Sequence, residues 1–71
     1  MDAEDKRKSL GCAIREQREA QGLSQQKLAL MVGSSKSHIW RIESGKVSVG
    51  LDDLGRIADA LDARVGDLFS F

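Results

Sequence analysis

The sequence predicts an all-α domain, folded as a compact five-helix bundle. Its 71 residues include no proline, and strand-forming residues cluster nowhere along the chain, which favours helices. Apolar residues recur at helical spacing in short segments that glycines separate. The content of 41% hydrophobic and 31% charged residues is ordinary for a folded protein. We expect a single domain over residues 9–71, preceded by a flexible, charged arm at 1–8.

The first helix is expected to start from a cap at Ser9. Gly22 would close it, since glycine readily adopts the left-handed conformation that ends helices. Arg18 falls on the apolar face of this helix, which is an unusual position for a charge. Cys12, beside that face, is expected to be a small core residue. The inward positions, four residues apart, are Leu10, Ile14 and Arg18.

Residues 24–45 predict two short helices joined by a tight turn. Ser24 is placed to cap the second helix, because a serine hydroxyl can accept one of its free N–H groups. Gly33 ends that helix, Ser35 or its neighbour caps the third, and Gly45 ends the third. This spacing is typical of a helix-turn-helix, in which one helix braces the next against DNA. The buried positions are Leu28, Ala29, Val32, Ile39 and Ile42.

A fourth helix is expected from Leu51 to Leu61, with both of these leucines facing inward. Two aspartates lie in its first turn, where the helix dipole favours negative charge. A short fifth helix would bury Val65, Leu68 and Phe69.

The net charge is zero, but its distribution is uneven. Residues 24–50 carry four basic side chains and one acidic side chain, whereas residues 51–71 carry two basic and five acidic ones. The basic surplus therefore lies on the helix-turn-helix, which favours a nucleic-acid partner. The acidic last third keeps a protein-binding role open.

Other classes of protein fit poorly. No apolar run approaches the roughly 20 residues of a membrane span, and the charged N-terminus lacks the core of a secretory signal. A single cysteine fits a reduced, cytoplasmic setting. One histidine, one cysteine and no glycine-rich phosphate loop leave no catalytic constellation. We expect no enzymatic activity, metal, cofactor or small-molecule ligand.

Over about residues 10–69 the chain resembles the lambda-repressor-like, Cro/XRE-type helix-turn-helix family. The resemblance implies a five-helix bundle that binds operator DNA as a homodimer, with its third helix in the major groove. It implies that Gln25 anchors to the DNA backbone and that Glu43 pairs with Arg18, which would explain a charge on the core face. The matching residues are Arg18, GLSQQKLA at 22–29, Val32-Gly33, Ile39, RIESGK at 41–46 and IADAL at 57–61.

The chain departs from the family pattern around the fourth helix. Val49-Gly50 stands where Pro-Ser or Pro-Thr is common, Asp62 where Gly or Asn is usual, and Arg64 where a capping Ser is common. These departures leave the ends of helices 4 and 5 open.

The outer face of the third helix is the expected reading surface. Arg41 can donate two hydrogen bonds to guanine O6 and N7, worth about 1–3 kcal/mol of discrimination. Trp40 is expected to touch a thymine methyl or a deoxyribose, although it could instead be a half-buried edge of the core. The expected base contacts are Lys36, Ser37, Trp40 and Arg41. The expected phosphate contacts are Gln25, Ser35, His38 and Lys46.

The apolar tail is expected to form a dimer contact through Leu68, Phe69 and Phe71, or else to cover the monomer core. A symmetric dimer on a pseudo-palindromic operator would double the small footprint of one copy on double-stranded DNA. The sequence thus predicts a sequence-specific transcriptional regulator, a repressor or controller. The alternative is a protein-interaction module of the same fold, such as an antitoxin or anti-repressor.

Overall fold

The computed structural model describes all 71 residues and contains helices and turns without strands. This confirms the all-α class, but four α-helices are present and not five. None of these helices combines the length and the apolar character that crossing a membrane requires. The elements are α1 (Ala3–Ala20), α2 (Gln25–Met31), α3 (Lys36–Glu43), α4 (Leu51–Ala60) and a 3-10 turn (Val65–Leu68).

The expected fifth helix is replaced by that single 3-10 turn. Its backbone bonds join residues three apart, from Asp67 N to Arg64 O at 3.0 Å and from Phe69 N to Gly66 O at 3.4 Å. The Asp67 carboxylate also accepts a hydrogen bond from Arg64 N at 3.1 Å, which closes the turn on itself. One such turn is enough to bring Leu68 into the core, where it is fully buried.

The N-terminal segment is helical from Ala3, whereas a flexible arm is expected from the sequence at residues 1–8. α1 begins at Ala3, and the Asp2 carboxylate caps it by accepting a hydrogen bond from Asp5 N at 2.8 Å. Acidic residues in this first turn also complement the helix dipole. Ser9 therefore lies inside α1 and is not its cap; its hydroxyl lies 2.6 Å from that of Ser70.

The other helix ends follow the predicted caps. Ser24 accepts from Lys27 N at 3.0 Å, and Ser35 accepts from His38 N at 3.1 Å. Asp62, after α4, has a φ of 53° and occupies the left-handed position that glycine fills after the preceding helices. The glycines with φ of 69°, 67° and 71° are Gly22, Gly33 and Gly45.

The core lies between α3 and the other helices, together with the 3-10 turn. α3 packs on α1 and α2, α4 packs on α2, and the 3-10 turn packs on α4 and α1. The core comprises 11 apolar side chains, which are Leu10, Ile14, Leu28, Ala29, Ile39, Ile42, Leu54, Ile57, Ala58, Leu61 and Leu68.

Leu68 is fully buried in the core of one copy, as expected for the inward face of the last element, and so it offers no exposed surface for a dimer contact. Two other inferences about side-chain burial are wrong. Cys12 is exposed, because it lies about 200° around α1 from Leu10 and so faces away from the core. Leu51 is 75% exposed, because as the first residue of α4 it stands at the end of the helix, beyond the core.

One glycine sets how closely α1 approaches α3. Gly11 is buried, and a Cβ built on it would lie 2.5 Å from the Ile42 carbonyl oxygen and 2.6 Å from that of Glu43. These are backbone atoms, so they cannot swing away as a flexible side chain would. Gly11 therefore lets α1 lie directly on the C-terminal end of α3.

We predict that Gly11→Ala lowers the free energy of unfolding by about 1–3 kcal/mol, because the added methyl forces the two helices apart. About 1 kcal/mol shifts the melting temperature of a domain this small by roughly 4–8 °C, which circular dichroism can measure. Gly55→Ala in α4 is the matched control, since no heavy atom lies within 4 Å of its added Cβ. The control is expected to be neutral or slightly stabilising. Equal melting temperatures for the two variants would contradict the close contact.

Candidate nucleic-acid interface

A buried ion pair joins α1 to the end of α3. Arg18 Nε lies 2.7 Å from Glu43 Oε2, and Arg18 Nη2 lies 2.9 Å from Oε1, so the pairing is bidentate. The side chains are 9% and 3% exposed. The hydrogen bonds to Glu43 raise the pKa of Arg18 above its ordinary value, against the opposing effect of burial. The predicted pair is confirmed.

The same carboxylate also holds the start of α2. Gln25 Nε2 donates to Glu43 Oε1 at 3.1 Å, and Arg18 Nη1 donates to the Leu23 carbonyl at 2.7 Å. One glutamate thus joins α1, α2 and α3. A glutamine amide has two N–H donors, so Gln25 keeps one for an acceptor outside the protein.

The outer face of α3 presents the predicted base-reading side chains to solvent. Ile39 and Ile42 are 1% and 2% exposed on the opposite face, where they pack in the core. Trp40 is 51% exposed and does not belong to the core. The two faces of α3 are therefore clearly separated, one packed in the core and one open to solvent. The exposed side chains are Lys36, Ser37, Trp40 and Arg41.

The predicted phosphate contacts divide between the two flanks of α3. Gln25 lies on the α1 side, whereas the half-buried His38 lines a cleft toward α4 with Asp53 and Arg56. Ser35, whose hydroxyl caps α3, is exposed at the start of that helix, and the exposed Lys46 follows its end.

The aromatic tail packs on the N-terminal half of α1. Phe69 and Phe71 meet edge to face, with ring centroids 5.3 Å apart, and Lys6 Nζ lies 5.7 Å from the centre of the Phe71 ring. The two rings nevertheless stay 39% and 51% exposed. Of the three predicted dimer residues, these two are therefore available to a partner, and Leu68 is not.

The structure also brings basic residues to this region that the sequence pattern does not identify. Arg7 Nε donates to the Gly45 carbonyl at 3.4 Å, at the end of α3. Arg15 lines a polar cleft beside Gln25 and Trp40. Both residues lie on α1. Arg15 stands three positions before Arg18, and this spacing is the one sequence signal that places it on nearly the same side of the helix.

Comparison with known sequences finds a matching family and a related protein. A family model described as helix-turn-helix matches residues 14–68. An uncharacterized HTH-type transcriptional regulator of Sinorhizobium fredii is 42% identical over 52 residues, which are 73% of this chain and 26% of that protein. The chain thus spans about a quarter of the length of that relative.

Several solved structures of regulatory proteins are also similar to this chain. The restriction-modification controller protein C.AhdI from Aeromonas hydrophila is 35% identical, with a TM-score of 0.91 over 97% of this chain and 100% of that chain. The clp gene regulator ClgR from Corynebacterium glutamicum is 31% identical, with a TM-score of 0.84 over 87% and 80% of the two chains. A transcriptional regulator of the HTH_3 family from Vibrio cholerae is 26% identical, with a TM-score of 0.88 over 97% and 39%.

We predict that Glu43→Gln lowers the free energy of unfolding by about 3–5 kcal/mol, because it leaves the charge of Arg18 buried without its partner. Urea denaturation measures the loss. The double variant Glu43→Gln/Arg18→Met should lose less free energy of unfolding than the two single variants lose together, since it buries no unpaired charge. Asp53→Asn is the control: it breaks the exposed pair of Asp53 with Arg56, and such pairs contribute at most about 1 kcal/mol. A loss in the double variant equal to the sum of the losses in the two single variants would contradict the pairing of Arg18 with Glu43.

Proposed function

The chain belongs to the helix-turn-helix family, and from that premise we propose that it is a sequence-specific DNA-binding transcriptional regulator. α3 would lie in the major groove and read base edges with Lys36, Ser37 and Arg41, with Trp40 beside them. The observation that carries this proposal is the division of α3 into a buried apolar face and an exposed basic face. The network of Arg18, Glu43 and Gln25 supports it, because it holds the reading helix in a fixed position.

Arg41 is the strongest candidate for base recognition. None of the salt bridges in the structure involves Arg41 or Lys36. The planar guanidinium of Arg41 can therefore turn toward guanine and donate to both O6 and N7. Lys36, in the first turn of α3, would bind a base edge or a phosphate. The net charge of the chain is zero, so we expect few phosphate contacts and a modest salt dependence of binding.

Phosphate contacts on both flanks would fix the position of α3 in the groove. The free N–H of Gln25 would bind a phosphate on the α1 side of the helix, and Lys46 would bind one beyond its C-terminal end. Ser35 and His38 add contacts near the start of the helix. Contacts of this kind set the register on the duplex without reading its sequence.

We propose further that the protein binds as a homodimer through Phe69 and Phe71, on a pseudo-palindromic operator. Two half-exposed aromatic rings that pack on one another form an exposed apolar patch, and such patches can mark protein contacts. A symmetric contact would cover them and place two copies of α3 along one face of the DNA. Such a dimer would act as a repressor or controller, and one structural relative is described as a restriction-modification controller.

A second candidate function is a protein-interaction module, such as an antitoxin or anti-repressor. It is favoured by the acidic surplus over residues 51–71 and by Leu51, which is 75% exposed beside two aspartates. A mobility-shift assay separates the two functions. We expect the protein to retard sequences selected from a random DNA pool, and no retardation at low salt would favour the interaction module.

We predict that Arg41→Ala weakens binding to the selected sequence about 5- to 150-fold, which corresponds to about 1–3 kcal/mol. Preference at one base pair should relax, because a base contact is lost. Fluorescence anisotropy on selected and random duplexes measures both effects. Arg64→Ala is the control, since it removes the same charge next to the 3-10 turn, an element that packs on α4 and α1. Equal losses on both duplexes for Arg41→Ala would show that it binds phosphate only.

We predict that Phe69→Asp weakens self-association by at least about 30-fold, the effect of a residue central to an interface. The reason is that a carboxylate would be placed in the apolar contact. Sedimentation equilibrium gives the association constant. Leu30→Asp, a change at a residue 66% exposed on α2, is the control and should leave the dimer intact. A dimer that survives Phe69→Asp and dissociates with Leu30→Asp would place the interface on α2.

A further inference from the structure

We propose that the cleft between α1 and α3 binds one phosphate of a DNA strand, with Arg15 as its charged contact and Trp40 packed on the adjoining deoxyribose. The inference deepens the proposed function and rests on it. It assigns a DNA-binding role to α1. It also moves Trp40 from the base-reading surface to the sugar-phosphate backbone, while Arg41 keeps its place as a base reader.

The cleft is polar and open to solvent, with a volume of about 310 Å³. Three kinds of hydrogen-bond donor meet in it: the guanidinium of Arg15, the amide of Gln25 and the hydroxyl of Ser44. Trp40 is its single apolar lining residue. Its six lining residues are Arg15, Arg18, Gln25, Trp40, Glu43 and Ser44.

The charges of the cleft favour an anion. Arg18 and Glu43 neutralise one another at the base of the cleft through their bidentate contact. Arg15 therefore supplies the net positive charge of the lining residues. A guanidinium offers five N–H donors, and its hydrogen bonds to phosphate are strengthened by the opposite charges.

Arg15 can exchange its present partner for a phosphate at little cost. Arg15 Nε lies 3.6 Å from Glu19 Oε1, and these side chains are 61% and 55% exposed. Exposed pairs of this kind contribute little to stability. A phosphate in the cleft would compete with Glu19 for the same guanidinium and would gain the nearby amide of Gln25 as well.

Gln25 is held ready for this contact, because Glu43 accepts one of its two amide N–H groups at 3.1 Å. The second N–H is left for an acceptor in the cleft. The half-exposed indole of Trp40 borders the same space, so a sugar next to the bound phosphate would meet its apolar surface. Neither contact distinguishes one base from another.

The test is the salt dependence of DNA binding, measured by fluorescence anisotropy on a duplex selected from a random pool. The slope of log K against log salt concentration changes by about 0.9 for each phosphate contact on duplex DNA. Arg15→Gln is expected to reduce the slope by about that amount per subunit and to weaken binding by the same factor on selected and random duplexes. Arg64→Gln, which removes the same charge next to the 3-10 turn, should leave the slope unchanged.

Two further variants test the parts that Glu19 and Trp40 play at the cleft. Glu19→Gln releases Arg15 from its partner and should tighten binding a few-fold at low salt without changing the preferred sequence. Trp40→Ala should weaken binding to every sequence alike, and a repeated selection should return the same motif. Circular dichroism melting of each variant verifies that it is folded.

An unchanged slope for Arg15→Gln, in a protein whose wild type binds DNA, would overturn the inference alone. A motif that relaxes at one base pair in Trp40→Ala would return Trp40 to the base-reading surface and overturn its assignment to the backbone. A wild-type protein that binds no DNA at low salt would overturn the proposed function, and this inference with it.

Discussion

The buried pair of Arg18 and Glu43 is the interaction on which the rest of this small fold depends. Two charges can be buried together only when each is fully hydrogen-bonded, and here Glu43 accepts from Arg18 through both oxygens and also from Gln25. The pair joins the first three helices at one carboxylate. Gly11 makes this geometry possible, because its missing side chain lets α1 rest on the carbonyl groups that end α3.

This constraint gives α3 two separate roles. The apolar face of α3 packs in the core through Ile39 and Ile42, and the ion pair fixes the C-terminal end of the helix. The side chains on the outer face of α3 are therefore not needed to hold the fold together. Basic and polar residues can therefore occupy that face at little cost to stability. The backbone of α3, which carries Arg41 and Lys36, is thereby held in a fixed position, and in the proposed function this would reduce the entropy lost when DNA is bound. The neutral total charge conceals this local surplus.

The features predicted correctly from sequence are those that local chemistry determines. Ser24 and Ser35 act as caps, and the glycines after α1, α2 and α3 take left-handed conformations, because each needs only its neighbours along the chain. The pair of Arg18 and Glu43 came from the family resemblance. Features that depend on distant packing are not predicted from local sequence: α1 and α4 cover Leu68 within one copy, and Gly11 contacts a helix about 30 residues away in sequence. The start of α1 at Ala3 does not follow from the sequence pattern, because its capping residue Asp2 stands among charged residues without apolar periodicity.

In the proposed function, α3, held by Arg18 and Glu43, is the surface that meets DNA. The most direct test of this role is a titration of the isotopically labelled protein with a selected duplex, followed by two-dimensional NMR of its backbone amides. The largest shifts are expected on residues 36–46 and on Gln25, with little change at the 3-10 turn over Val65–Leu68. Shifts concentrated on α4 and the 3-10 turn, with α3 unperturbed, would contradict this role.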